Sequence, residues 1–121
     1  MSTGFIVAGL TNILGILLFS KGFTNTRLFE LYPEVFNVMG CIGVILWGLA
    51  YLSVAYVRPR TLSLVFCLEK VVYFGTWLCW LHCRGAILPS LWAEDPLTAF
   101  FFTFYGPLDL AFGAFFLKAS R

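Results

Sequence analysis

In LEKVVYFGTWLCWLHC, residues 68–83, a glutamate and a lysine stand side by side at the head of a run of Val, Phe, Tyr and Trp. Extended back to Thr61, the run is long enough, at about 1.5 Å per residue, to cross a hydrocarbon core about 30 Å thick. Its only formal charges are Glu69 and Lys70. Three more stretches of similar character follow from the same reading, at residues 4–20, 34–57 and 97–118.

The whole chain shares that character. Of its 121 residues, 60% are hydrophobic, 19% aromatic and 12% charged, the last being roughly half the charged fraction of an ordinary soluble domain. Four such runs in so short a chain leave no room for a soluble domain. The segments are apolar all round, whereas barrel strands alternate apolar and polar residues, so an α-helical bundle is the structure that closes its own backbone hydrogen bonds in lipid. The expectation is an all-α, polytopic membrane protein: one domain, residues 1–121, forming an antiparallel bundle of four transmembrane helices. A cleaved signal peptide is disfavoured, because Lys21 follows the first apolar stretch instead of preceding it.

Helix punctuation agrees with these boundaries. Asp95 suits the cap of a helix with Pro96 in its first turn, Pro33 suits the start of the second helix, and Gly85 the end of the third. Only Arg58, Pro59 and Arg60 separate the second helix from the third, which predicts antiparallel neighbours. The other two connections, KGFTNTRLFELYP and RGAILPSLWAEDP, keep Phe23, Leu28, Phe29, Tyr32, Leu88, Leu91 and Trp92, residues suited to a headgroup layer. With four spans, Arg58, Arg60, Lys118 and Arg121 fall on the side of the termini, and Lys21, Arg27 and Arg84 on the other. The excess of basic residues places the N- and C-termini in the cytoplasm, with a bacterial inner membrane as the setting.

Counted along the helices, Glu69 lies about 12 Å and Asp109 about 13 Å below the surface on the side of the termini. Thr11 and Asn12 reach about 11 to 12 Å, and Gly48 and Tyr51 about 9 to 13 Å. A charge at that depth costs about 2.5 to more than 10 kcal/mol, so these groups face one another or a wet cavity instead of lipid. Lys70 has two options: its stem can snorkel toward the headgroups, or its ammonium can pair with Asp109 across the helix interface. Glu69 then turns to Tyr73 one turn on, to Asn12 or to a Trp. Pro107 removes one helical hydrogen bond two residues before Asp109, which predicts a kink and freed carbonyls beside a carboxyl.

Two readings of this layer stand side by side. In one, Glu69, Lys70, Asp109 and Asn12 fix how the helices pack. In the other, Asn12, Tyr51, Glu69, Lys70, Tyr73, Pro107 and Asp109 line a pocket for a ligand. The partners to expect are a membrane lipid or hydrophobic small molecule, with a protein partner or a homo-oligomer as further options.

Other patterns decide less. Phe100, Phe101, Phe102, Phe104, Tyr105, Phe112, Phe115 and Phe116 make the last helix aromatic on nearly every face. Gly40, Gly43 and Gly48, with Gly4, Gly9 and Gly15, permit close helix approach without a strict GxxxG motif. Cys79, His82 and Cys83 lack the further ligands a metal needs, so neither a metal nor a cofactor is expected. No nucleophile elbow, phosphate-cradling loop or basic patch for nucleic acid occurs.

At LYPEVF, LWGLAYLSVA and LEKVVYFGTWLCWL the chain resembles a family of small four-helix bacterial integral membrane proteins, a likeness that implies architecture and no catalytic assignment. More distantly the architecture is similar to DoxX-like and sterol-isomerase-like four-helix proteins, whose bundles set intramembrane acids around a hydrophobic ligand. Small multidrug transporters differ where it counts: their first helix holds an essential glutamate, and here that helix offers only Asn12. The expectation is therefore a nonenzymatic protein that binds a hydrophobic ligand or serves as an accessory subunit. The alternatives are an intramembrane isomerase or redox-type enzyme moving a proton through Glu69 or Asp109, and a small dimeric transporter.

Overall fold

The computed structural model describes residues 2–57 and 59–121. Arg58, expected in the connection between the second and third apolar runs, lies outside the described residues. Among the described residues the secondary structure is entirely helical. The chain divides at residue 58 into two compact units.

The first unit holds α1 (Thr3–Phe19), α2 (Thr26–Leu31) and α3 (Val38–Ser53). α1 ends on a left-handed turn in which Lys21, Gly22 and Phe23 all have positive φ, at 50°, 64° and 70°. A left-handed conformation costs a non-glycine residue about 1 to 2 kcal/mol, so hydrogen bonds must hold it. Gly22 N–H donates to the Leu17 carbonyl at 2.9 Å and Phe23 N–H to Ser20 Oγ at 3.1 Å. Asn25 Nδ2 donates to the Phe19 carbonyl at 2.7 Å, while its Oδ1 accepts from Leu28 N–H at 3.2 Å and caps α2. The connection between the first and second apolar runs therefore contains a helix, nucleated by a side-chain cap that hydropathy does not register.

α3 is 16 residues long and begins at Val38, which corrects the expected start at residue 34 and end at residue 57. Pro33 belongs to a turn ahead of the helix instead of its first turn. There Asn37 Nδ2 donates to the Pro33 carbonyl at 2.9 Å, and Asn37 Oδ1 accepts from Gly40 N–H at 2.7 Å. A Cβ at Gly40 would overlap the Val35 carbonyl, so the turn closes only on glycine.

α1 and α3 pack antiparallel, as Ser2 N–H bonded to the Ala55 carbonyl at 2.9 Å and Asn12 Nδ2 bonded to the Val44 carbonyl at 3.2 Å require. They cross at Gly9 and Gly48. A Cβ on Gly48 would lie 2.8 Å from the Gly9 carbonyl oxygen, and one on Gly9 would lie 2.8 Å from that of Gly48. Replacing Gly48 by Ala raises helix propensity by about 1 kcal/mol yet forces two backbones apart. The expected outcome for Gly48→Ala is a net loss of about 1 kcal/mol, read as a lowered unfolding midpoint in detergent.

The second unit holds α4 (Arg60–Arg84), a single 3-10 turn (Gly85–Ile87), α5 (Leu88–Glu94) and α6 (Pro96–Ala119). Asp95 caps α6 as its sequence suggests, Oδ1 accepting from Thr98 N–H at 3.3 Å and Oδ2 from Thr98 Oγ1 at 2.7 Å. α4 and α6 run antiparallel, joined by Trp77 to Phe102 toward one end and by Lys70 to Asp109 toward the other. Stacked rings of Trp80 and Phe102, centroids 4.3 Å apart, and edge-on Phe66 and Phe116, at 5.3 Å, fill the same seam.

At 25 and 24 residues, α4 and α6 extend about 37 and 36 Å. Both lie in stretches long and apolar enough to cross a membrane, whereas α1 and α3 are shorter apolar helices, each about 25 Å long.

Candidate functional site

Three charges of the second unit, Glu69, Lys70 and Asp109, meet on the α4–α6 seam. Lys70 Nζ donates to Asp109 Oδ1 at 3.0 Å and lies 3.9 Å from Glu69 Oε2. The three side chains retain 2%, 15% and 5% of their accessible surface, in the order Lys70, Asp109, Glu69. The ammonium also stands 5.8 Å from the centroid of the Phe112 ring, within the range of a cation–π attraction.

Close helix approach makes the pairing possible. Gly113 faces the stem of Lys70, and a Cβ there would sit 3.3 Å from that of Lys70. The lysine therefore crosses the seam, which corrects the snorkelling alternative. A partner 3.0 Å away on the facing helix neutralises the ammonium without extending it to the surface, and charge-assisted contacts of this kind are the strong ones.

Two turns along α4 a second polar contact uses the same register. Trp77 Nε1 donates to the Phe102 carbonyl at 2.7 Å. Phe102 stands one residue before Thr103, whose carbonyl is the one Pro107 leaves without a helical donor. The indole lies where Gly106 has no side chain, and a Cβ on Gly106 would overlap the ring. α6 continues unbroken through Pro107 from Pro96 to Ala119. Between these two contacts, Thr76 Oγ1 donates to the Tyr73 carbonyl at 2.7 Å and lies 3.0 Å from Tyr105 Oη.

The structure thus brings Glu69, Lys70 and Asp109 together, with Pro107 two residues before Asp109 and Tyr73 one turn along α4 from Glu69. Asn12 and Tyr51 belong to the first unit, where both are buried and Asn12 holds the Val44 carbonyl. Thr76, Trp77, Tyr105, Gly106 and Phe112 were not foreseen as parts of the seam. The signal was available for one of them: pairing Lys70 with Asp109 puts Trp77, seven residues on, opposite Phe102, seven residues back.

Chemically, the cluster is two carboxyls sharing one ammonium, away from water. Such a group locks helix register, because removing one partner leaves charge uncompensated. It also offers an acceptor. Asp109 is the most exposed of the three, and its Oδ2 makes no hydrogen bond among the described residues. Cys79, His82 and Cys83 are exposed on α4, away from the seam.

No protein-family model, curated protein or solved structure matches the chain.

Proposed function

We propose that the chain is a multi-pass integral membrane protein of four spans, with both termini on the cytoplasmic face of a bacterial inner membrane. In this reading it binds a hydrophobic molecule dissolved in the bilayer, or docks as an accessory subunit, at the Lys70–Asp109 layer. The second unit supports membrane residence by its inside-out chemistry. Its most enclosed side chains include Lys70, at 2% exposure, while Leu68, Val71, Val72, Leu108, Leu110 and Leu117 point outward. In water that surface is a liability; in lipid it is solvated. α1 carries outward Val7, Leu10, Leu14 and Leu18, and α3 outward Met39, Leu46 and Leu49. Both span at the short end of the range, with local bilayer thinning absorbing the mismatch.

The observation that carries the binding role is Asp109, whose Oδ1 is fixed by Lys70 while its side chain keeps 15% of its surface. Its depth, about 15 Å from the end of α6, is below the reach of ordinary headgroups. A molecule with an apolar body and a hydroxyl or amine donor meets both requirements.

Purification from native membrane followed by mass spectrometry of bound lipids and proteins tests the proposal. The expected outcome is a stoichiometric hydrophobic molecule or partner, retained by the parent chain and lost from Asp109→Leu. A clean monomer carrying neither contradicts it. A second reading, proton transfer within the membrane, draws on two carboxyls close to one nitrogen, at 3.0 and 3.9 Å. It requires that Glu69→Gln or Asp109→Asn abolish turnover while the folded yield is kept.

A further inference from the structure

We infer that Gly106 and Pro107 form a hinge in α6 through which the Lys70–Asp109 ion pair opens, and that Trp77 is the latch that holds the hinge closed. The inference rests on the reading of this layer as a binding site and concerns how access to it is controlled.

Three observations converge on the hinge. First, Pro107 interrupts the hydrogen-bond ladder inside a 24-residue helix, and proline is among the few identifiable causes of a bend. Second, the missing side chain of Gly106 is filled by the Trp77 indole, so the weakest point of α6 is braced from α4 and not from within. Third, the single N–H of Trp77 is spent on the Phe102 carbonyl, at 2.7 Å. Phe102 lies on the half of α6 that stays on α4, so the bond holds the indole in the Gly106 notch, and without it the ring can withdraw and free Gly106 to bend.

The hinge divides α6 into halves with different anchorage. Before it, Phe102 stacks on Trp80 and accepts from Trp77, and Tyr105 Oη lies 3.0 Å from Thr76 Oγ1. After it come Asp109, Phe112, Gly113 and Phe116, whose polar tie to α4 is Lys70. Swinging the second half carries Asp109 away, while Glu69, on the same helix as Lys70 and 3.9 Å from its nitrogen, stays behind. The ammonium is thereby charge-compensated in both positions: by Asp109 with Glu69 when closed, by Glu69 when open. This explains why two carboxyls accompany one lysine. The open position presents the Asp109 carboxyl to a donor on the ligand.

Amide hydrogen exchange of the full chain in lipid nanodiscs, without added ligand, reads the hinge directly. Trp77→Phe keeps a ring in the Gly106 notch and removes the donor. Exchange over residues 108–113 is expected to rise roughly 5- to 10-fold, while residues 97–103 stay at the parent rate. Pro107→Ala restores a donor to the Thr103 carbonyl and is expected to slow the same 108–113 amides. Adding Glu69→Gln to Trp77→Phe removes the counter-charge of the open position and returns exchange toward the parent. Unchanged exchange in Trp77→Phe, or an equal rise along all of α6, overturns the latch. If Trp77→Phe does not fold, Pro107→Ala decides, and parent-like exchange there overturns the hinge. Because no ligand takes part, failure here is distinct from failure to find a bound molecule.

Discussion

Replacing Lys70 by Met is expected to destabilise the protein by about 3 to 5 kcal/mol, the range for breaking a buried ion pair by deleting one partner. The lysine has carboxyl oxygens at 3.0 and 3.9 Å, and Met fills much of its stem without supplying a charge. Asp109→Leu is expected to be milder, because Lys70 keeps Glu69 beside it. The double variant Lys70→Met, Asp109→Leu is expected to lie closer to the parent than Lys70→Met alone, since it removes both ends of the pair and leaves a packed apolar contact. Unfolding monitored by circular dichroism in detergent gives all three values. Equal losses for the two single variants would mean that Glu69 gives the lysine no compensation.

The second large effect is expected at Gly106. Alanine is the better helix former by about 1 kcal/mol, so on propensity alone Gly106→Ala would stabilise α6. The methyl group, however, overlaps the Trp77 ring, and the ring cannot retreat without giving up its bond to the Phe102 carbonyl, 2.7 Å long. Overpacking at about 1 to 3 kcal/mol plus one lost hydrogen bond at about 1 kcal/mol outweighs the propensity gain. The expected net loss is about 1 to 3 kcal/mol. In a Trp77→Ala background the same substitution is expected to be neutral or favourable, and a loss that persists there would show that the notch is not what the glycine serves.

Both effects trace to a register partly legible in the sequence. Charge and depth offered Asp109 as one of two destinations for the Lys70 ammonium, the headgroup layer being the other, and did not choose between them. The all-helical class followed from apolar runs with neither alternation nor polar gaps. Helix limits were less legible. Hydropathy runs on through residues 54–57 and back to residue 34, whereas α3 stops at Ser53 and starts at Val38; what sets its start is Asn37, Gly40 and a turn at Pro33, local hydrogen bonding that carries no hydropathic signal. α2 and α5 were hidden for the same reason, being 6 and 7 residues long and too short to show a period. The fit of Trp77 against Gly106 needs the antiparallel register of two helices before it can be seen. Asn12 shows the converse: a polar residue at the expected depth is used within its own unit, on the Val44 carbonyl.

The account depends on the cation of α4 and the carboxylate of α6 meeting inside the seam when the protein is in a bilayer. Magic-angle-spinning NMR of the labelled protein in lipid measures the dipolar coupling between Lys70 Nζ and the Asp109 carboxyl carbon. A strong coupling, in keeping with a nitrogen-to-oxygen contact of 3.0 Å and abolished by Asp109→Leu, is the predicted result. No coupling between them, with the lysine nitrogen close to lipid phosphate instead, would contradict the account.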